Sequence, residues 1–154
     1  MLVKSIKIVH GDHGVPLSLI WKALSMIESE EDSGSHVVDF GKVIGFNDLI
    51  EVSEDDDFYE KTRGIRTYPS RFVKDKFPLP CTKLAIVWRH IKDGRFLVIT
   101  AYFTDRDNPH CPDEPGNIIR KIKNGHKFTP SEIDEALEFW STHAFAEPLP
   151  RRML

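Results

Sequence analysis

The feature that most constrains this chain is a pair of apolar stretches joined at Asp93-Gly94. Together the stretches span residues 83–105, KLAIVWRHIKDGRFLVITAYFTD. An aspartate-glycine pair tolerates the positive φ angles of a tight turn, and between apolar runs it is typical of a β-hairpin. The sequence therefore predicts two antiparallel strands at the centre of the sheet.

Side chains of a strand alternate between its two faces, so the second strand is predicted to present two different surfaces. One set suits a core: Leu97, Ile99, Ala101 and Phe103. The other set is Phe96, Val98, Thr100 and Tyr102. Two hydroxyls two residues apart at one strand end are typical of a binding cleft. Thr100 and Tyr102 are therefore the first candidate functional residues.

Amphipathic helices are predicted near both ends of the chain. The first runs from Pro16 to about Glu30, because apolar residues recur there at helical spacing after a proline suited to the first helical position. The second follows Thr129-Pro130-Ser131-Glu132, which provides an N-cap, a first-turn proline and a capping-box glutamate. An opening strand is predicted over residues 3–10.

The remaining segments complete the prediction of fold class. Short strands are expected over residues 36–40, 43–44, 49–52 and 68–73, a helical turn over 58–66, and a short helix or strand over 116–124. These elements indicate an α+β domain, with a central antiparallel β-sheet and an N-terminal and a C-terminal amphipathic helix packed on it. We expect a single domain over residues 1–154, with its core in about 2–145, a frayed tail over 146–154, and all three tryptophans (Trp21, Trp88 and Trp140) in the core.

Composition excludes several classes of protein. The chain has 154 residues, of which 40% are hydrophobic and 29% charged, and its longest apolar run is far below the roughly 18 residues of a membrane span. The first ten residues lack the pattern of a signal peptide. Two cysteines, Cys81 and Cys111, provide no disulfide framework. We therefore expect a cytoplasmic protein without a membrane partner.

Charge is unevenly spread although the net charge is only −3. Residues 28–57 are mostly acidic and end in a run of four acids. Residues 61–76 are basic, and a local cationic patch can bind phosphate even on a mildly acidic protein. The basic residues are Lys61, Arg63, Arg66, Arg71, Lys74 and Lys76.

Motifs for several kinds of chemistry are missing from the sequence. The acidic and histidine-containing loop over residues 105–113 lacks zinc-ligand spacing, and there is no phosphate-binding glycine loop or nucleophile elbow. No metal or cofactor is therefore expected. Among the histidines, His36 precedes an apolar strand, which places an imidazole where a general base can reach a ligand. Histidine, arginine, threonine and tyrosine together suit metal-free cleavage of an RNA phosphodiester.

Residues 96–102, FLVITAY, resemble the closing strand of toxin nucleases of the barnase/EndoU/colicin/RelE-like superfamily. The nearest resemblance is to the ribonuclease A-like toxins of contact-dependent inhibition, whose strand ends in Thr-Ala-Tyr. Residues 35–42, SHVVDFGK, are similar to the histidine region of that family. The resemblance implies a metal-independent endoribonuclease in which Thr100 and Tyr102 act with His36 and with an arginine, for which Arg66 and Arg71 both lie in the right region. We expect His36, Arg71, Thr100 and Tyr102 to be catalytic, and Arg63, Arg66 and Ser70 to bind phosphate.

Two classes of function stay open at this point. The first is the RNA-cleaving enzyme, whose partners would be RNA and a cognate protein inhibitor. The second is a non-catalytic protein-binding module on the same scaffold, associated with a phage or a toxin, in which the acidic residues 28–57 contact a basic partner. The enzyme requires its four catalytic side chains to converge in one cleft, whereas the module does not.

Overall fold

A computed structural model describes residues 1–11 and 13–149 of the chain. Within them, strands and helices alternate along the sequence. The elements in chain order are β1 (Ser5–Gly11), α1 (Leu17–Met26), β2 (Ser33–Asp39), β3 (Gly45–Asn47), β4 (Leu49–Glu51), β5 (Phe58–Thr62), β6 (Pro69–Val73), β7 (Leu79–Cys81), β8 (Lys83–Lys92), β9 (Arg95–Thr104), α2 (Pro115–Lys123), α3 (Pro130–Thr142) and β10 (His143–Phe145).

The chain divides into two compact units. The first unit comprises Met1–Asn47 and Pro80–His110, and the second comprises Asp48–Leu79 and the chain from Cys111 on. The first unit contains a four-stranded sheet in the order β1-β9-β8-β2, and the second contains one in the order β4-β10-β6-β5. The short strands β3 and β7 also pair with each other. The prediction of a single domain stays a prediction.

The predicted hairpin forms the centre of the first sheet. Strands β8 and β9 pair antiparallel, and the turn residues Asp93 and Gly94 have φ angles of 49° and 76°. Strand β2 adds to β8 antiparallel, whereas β1 adds to β9 parallel, so the sheet is mixed. Helix α1 covers one face, which we call the inner face, and buries Ile20, Ala23 and Leu24 against it.

A β-bulge in β9 changes which side chains reach the inner face. Val87 lies opposite Thr100, but the next residue, Trp88, lies opposite Val98, so Ile99 is an extra residue in the ladder. The bulge places Phe96 and Val98 on the inner face beside Ala101, where both are buried. The strict alternation expected from the sequence is therefore wrong at the first half of the strand.

The second unit has its own cores beneath helices α2 and α3. Helix α3 begins with the predicted capping box: the Thr129 hydroxyl accepts from the Glu132 N–H at 3.1 Å, and a Glu132 carboxylate oxygen accepts from the Thr129 N–H at 3.0 Å. Helix α2 begins at Pro115, which confirms the helical alternative for that segment. In the sheet of this unit, β10 pairs antiparallel with β4 and parallel with β6.

Several other expectations from the sequence are corrected here. The segment predicted as a helical turn contains strand β5, which pairs along its whole length with β6. At the start of the predicted frayed tail, the N–H groups of Ala146 and Glu147 donate to the carbonyls of Asp48 at 2.6 Å and Lys76 at 2.7 Å. Residues 150–154 of the predicted tail lie outside the described residues. Trp21 is 37% exposed and lies outside the core.

The fold class is α+β, as predicted, but the finer architecture differs from one central sheet flanked by two helices. The described residues form two larger sheets and three helices. No helix among residues 1–11 and 13–149 is long and apolar enough to cross a membrane.

A close approach of β3 to the hairpin predicts a strong effect of one small substitution. A Cβ atom at Gly45 would lie 2.6 Å from the ring of Phe103. We therefore expect Gly45→Ala to lower the free energy of unfolding by about 2 kcal/mol, because the ring must leave its position. Urea denaturation measures the change. Val43→Ala at a neighbouring exposed site should cost less than about 0.5 kcal/mol, and equal midpoints for both variants would contradict the prediction.

Candidate functional site

Thr100 and Tyr102 lie on the face of the first sheet opposite α1, which we call the outer face. Thr100 is paired with Val87 and Tyr102 with Ala85, whereas Ala101 between them is paired with Ile86 on the inner face. Both side chains are half-buried. The structure therefore brings together the two hydroxyl residues that the sequence singles out.

His36 lies on the inner face instead. It is paired with Ile86 in the β2–β8 ladder, and its Nδ1 atom accepts a hydrogen bond of 2.9 Å from the indole Nε1–H of Trp88. The two rings are stacked with centroids 5.8 Å apart. Trp88 is 1% exposed, so this hydrogen bond satisfies a buried donor. The register does not bring His36 together with Thr100 and Tyr102.

A different histidine approaches the outer-face hydroxyls. His13 follows the end of β1, and its ring lies edge-on to that of Tyr102, with centroids 6.2 Å apart and planes at 79°. The parallel pairing of β1 with β9 places Gly11 opposite Thr100, so the turn after β1 lies at the Thr100–Tyr102 end of β9. The exposed imidazole of His13 is thus held beside Tyr102.

Sequence reasoning missed His13 because nothing local distinguishes it. His10 and His13 flank a glycine turn, which suits any exposed connection. The parallel register of β1 with β9 places His13, and not His10, beside Tyr102. This register depends on residues far along the chain. The available clue was that a strand and a turn directly precede the histidine.

The loop after β9 completes the cluster with Arg106. The hydroxyl of Tyr102 donates to the carbonyl of Pro109, and Arg106 Nη1 donates to the adjacent carbonyl of His110 at 3.0 Å. The Arg106 N–H also donates to the Thr104 hydroxyl at 3.1 Å. Because their partners are consecutive carbonyls, Tyr102 and Arg106 reach the same stretch of loop. We call His13, Thr100, Tyr102 and Arg106 the outer-face cluster.

Lys83 contributes less positive charge to this surface than its position suggests. Its ammonium lies 2.7 Å from a carboxylate oxygen of Asp107. The hydrogen bond to Asp107 raises the pKa of Lys83, so the lysine is charged but paired. Arg106 is a second cationic side chain at this end of the strand.

Arg63 is occupied by contacts inside the second unit. Its guanidinium lies 3.7 Å from the Glu114 carboxylate, donates from Nε to the Ser70 hydroxyl at 3.2 Å, and stacks 3.6 Å from the ring centroid of Phe145. Burial lowers the pKa of Arg63, although an arginine stays protonated. Ser70 is 1% exposed. These contacts give Arg63 and Ser70 a role in packing.

Arg71 is similarly engaged at the end of helix α3. Its guanidinium donates to the carbonyls of Trp140 and His143, the second at 2.9 Å, and lies 4.2 Å from the ring centroid of Phe58. An arginine in this position satisfies carbonyls that the helix end leaves unpaired. Burial lowers the pKa of Arg71. Arg66, the third candidate arginine, lies partly buried near Arg63.

Cys81 does not have the surroundings of an activated nucleophile. Cys81 is buried, and burial raises the pKa of its thiol, which disfavours the reactive thiolate. Cys111 is exposed, and its thiol lies 3.7 Å from the carbonyl of Pro112. Across residues 1–11 and 13–149, the structure contains no group of three or more histidine, cysteine, aspartate and glutamate residues arranged to hold a metal ion.

No family model, curated protein or solved structure matches this chain. The resemblance to the barnase/EndoU/colicin/RelE-like toxins therefore stays a prediction from residues 96–102 and 35–42.

Proposed function

We propose that this protein cleaves RNA at the outer-face cluster by attack of a ribose 2′-hydroxyl on the adjacent phosphorus. The observation that carries the proposal is the contact of His13 with Tyr102 beside Thr100. It places an imidazole and two hydroxyls on one surface, with Arg106 at the same stretch of loop. These are the residue types that metal-free phosphodiester cleavage uses.

Each member of the cluster has a distinct part in the proposed reaction. His13 in its neutral form takes the proton of the 2′-hydroxyl as the bond from O2′ to phosphorus forms. The bond from phosphorus to O5′ then breaks, and O5′ takes up a proton from water to leave as a hydroxyl. The products are a 2′,3′-cyclic phosphate and a 5′-hydroxyl. Arg106 and Thr100 stabilise the charge on the non-bridging phosphate oxygens, and Tyr102 does so when its hydroxyl turns from the carbonyl of Pro109 to the phosphate.

The proposed site keeps the chemistry implied by the resemblance but changes two of its residues. The resemblance implies a histidine, an arginine, a threonine and a tyrosine. Thr100 and Tyr102 are retained, His13 takes the place of His36, and Arg106 takes the place of Arg71. The reason is that His36 is bonded to Trp88 on the inner face and Arg71 is bonded to helix α3.

Tyr102→Phe tests the proposal, because it removes one hydroxyl and keeps the ring. We expect cleavage of total RNA in the presence of EDTA to slow about 100-fold, the typical effect of losing one donor to a developing charge. Product ends are identified by their resistance to phosphatase, which does not remove a cyclic phosphate. Tyr59→Phe, which removes a hydroxyl from strand β5 in the second unit, is the matched control and should leave the rate unchanged.

The outcomes separate the two classes of function. Cleavage by the wild type and by Tyr59→Phe, but not by Tyr102→Phe, supports the outer-face site. Equal cleavage by all three proteins places the reaction elsewhere or in a contaminant. No cleavage by any of them, with RNA of several classes as substrate, overturns the enzyme and favours the protein-binding module.

A further inference from the structure

A groove in the second unit has no part in the proposed cleavage reaction. It has a volume of about 700 Å³ and lies among β5, β6, α2 and the second half of α3. A volume of this size accommodates a small-molecule ligand. The side chains along it come from one unit, so the groove is formed by a single compact body.

The walls of the groove are largely apolar. Ile119 on α2 and Leu137 on α3 line it, and they are 55% and 53% exposed. Tyr68 also lines the groove, and its side chain lies against Gly116 of α2; a Cβ atom at Gly116 would be 3.2 Å from the Cβ of Tyr68. A flat apolar group bound among these side chains would cover surface that is otherwise exposed to water.

Three cationic side chains line the groove: Arg71 on β6, which is bonded to carbonyls at the end of α3, and two on α2. Arg120 and Lys123 both line it, and both are exposed. Arg120 donates to the neutral Asn117 side-chain amide at 2.7 and 3.0 Å, which orients the guanidinium without cancelling its charge. Lys123 makes no hydrogen bond or ion pair with any residue in the described part of the chain. Lys121, two residues earlier on α2, is paired with Asp113 at 3.0 Å and does not line the groove.

The acidic residues of the groove restrict which anion it takes. Glu60 lines the groove from β5, opposite Arg71 in the β5–β6 ladder, and Glu114 lines it from the start of α2. An acidic peptide with several carboxylates would bring some of them against these two. A ligand with its negative charge at one end avoids this repulsion. Its uncharged part can instead donate hydrogen bonds to a glutamate.

We propose that this groove binds a nucleotide unit, with the base between Tyr68 and the apolar side chains of Ile119 and Leu137 and the phosphate on Arg120 and Lys123. The proposal does not rest on the cleavage reaction, because it concerns binding within the second unit. A free nucleotide and a segment of an RNA strand share the required chemistry, and the experiment distinguishes them.

The test is a methyl-labelled NMR titration of the full chain. The probes are adenosine 5′-monophosphate, adenosine, and a 2′-O-methyl hexa-adenylate, which has no free 2′-hydroxyl and cannot be cleaved by the proposed reaction. We expect saturable shifts of the Ile119 and Leu137 methyl signals with the monophosphate. Ile6 in the first unit reports any unspecific change. Adenosine without phosphate should bind about tenfold more weakly.

Matched variants assign the phosphate contacts. Arg120→Gln with Lys123→Gln should weaken monophosphate binding about tenfold or more, because it removes both positive charges that α2 presents to the groove. Lys121→Gln removes one positive charge from the same helix outside the groove, and its dissociation constant should lie within about twofold of the wild type. These side chains are exposed or half-exposed, and equal melting temperatures verify that the variants fold.

Each outcome bears on the proposal. Tighter binding of the hexa-adenylate than of the monophosphate supports an RNA strand, and equal binding supports a free nucleotide. The proposal is overturned by the absence of shifts up to about 10 mM monophosphate, which is beyond the range of useful affinity. It is also overturned if adenosine binds as tightly as the monophosphate, if Lys121→Gln weakens binding as much as the double variant, or if a leucine-containing acidic peptide binds more tightly than the nucleotide.

Discussion

Arg63→Ala is expected to lower the free energy of unfolding by about 3 kcal/mol, the typical result of removing one partner from a largely buried ion pair. The substitution leaves the Glu114 carboxylate, which is 10% exposed, without its cation. It also removes the donor to the buried Ser70 hydroxyl and the guanidinium that covers Phe145. The second unit depends on all three contacts, so denaturation by urea should begin at a lower concentration.

Arg66→Ala is the matched control for this prediction. Arg66 belongs to the same basic segment, and its positive charge acts against that of Arg63, whose pKa it lowers. Removing it should change stability by less than about 0.5 kcal/mol in either direction. If Arg63→Ala and Arg66→Ala gave equal denaturation midpoints, Arg63 would be a surface residue, and the packing role assigned to it would be wrong.

A double-variant cycle separates two effects on the free energy of unfolding: the loss of the Arg63 cation, and the cost of leaving the Glu114 carboxylate buried without a partner. Arg63→Met keeps the length of the side chain but removes its charge, and Glu114→Gln removes the opposite charge. We expect Arg63→Met with Glu114→Gln to be more stable than Arg63→Met alone, because no buried carboxylate is then left without a partner. Additive effects of the two substitutions would show that the ion pair contributes nothing measurable.

Elements with strong local signals could be predicted from the sequence. The hairpin was determined by Asp93-Gly94 between two apolar strands, and the start of α3 by the capping box at Thr129 and Glu132. Both signals consist of neighbouring residues whose own conformations or hydrogen bonds define the structure. Long-range pairing was not needed to locate either element.

The faces of the strands could not be predicted, because they depend on pairing between distant segments. The bulge at Ile99 moves Phe96 and Val98 to the inner face, and the register of β2 with β8 puts His36 there as well. The alternation of apolar and polar residues along a strand does not show where that strand has an extra residue relative to its partner. For the same reason, His13 could not be placed beside Tyr102 from the sequence.

The roles of the arginines could not be predicted from the sequence for a different physical reason. A basic segment looks the same whether its charges face water or are neutralised by partners elsewhere in the chain. Arg63 meets Glu114 and Phe145, and Arg71 meets the carbonyls at the end of α3, all far along the sequence. Their burial therefore follows from tertiary packing and not from composition.

The same substitution at two histidines provides the sharpest test of the proposed active site. Asparagine tolerates the left-handed backbone of His13, where φ is 48°, and its side-chain oxygen can replace Nδ1 of His36 as the acceptor for Trp88. His13→Asn should slow RNA cleavage by about 100-fold to 10,000-fold, the contribution of a general base. His36→Asn should leave the rate within about threefold of the wild type, because His36 lies on the inner face, outside the proposed site.

The free energy of unfolding should depend more on His36 than on His13, whereas the cleavage rate should depend more on His13. This contrast separates a catalytic from a structural role. His36→Ala leaves the Trp88 indole N–H without its acceptor, so we expect it to cost about 2 kcal/mol in the free energy of unfolding. His36→Asn should recover part of that loss, whereas His13→Asn at an exposed position should cost less than about 0.5 kcal/mol. Cleavage that survives in His13→Asn but disappears in His36→Asn, with both proteins folded, would return the base to His36 and overturn the outer-face site.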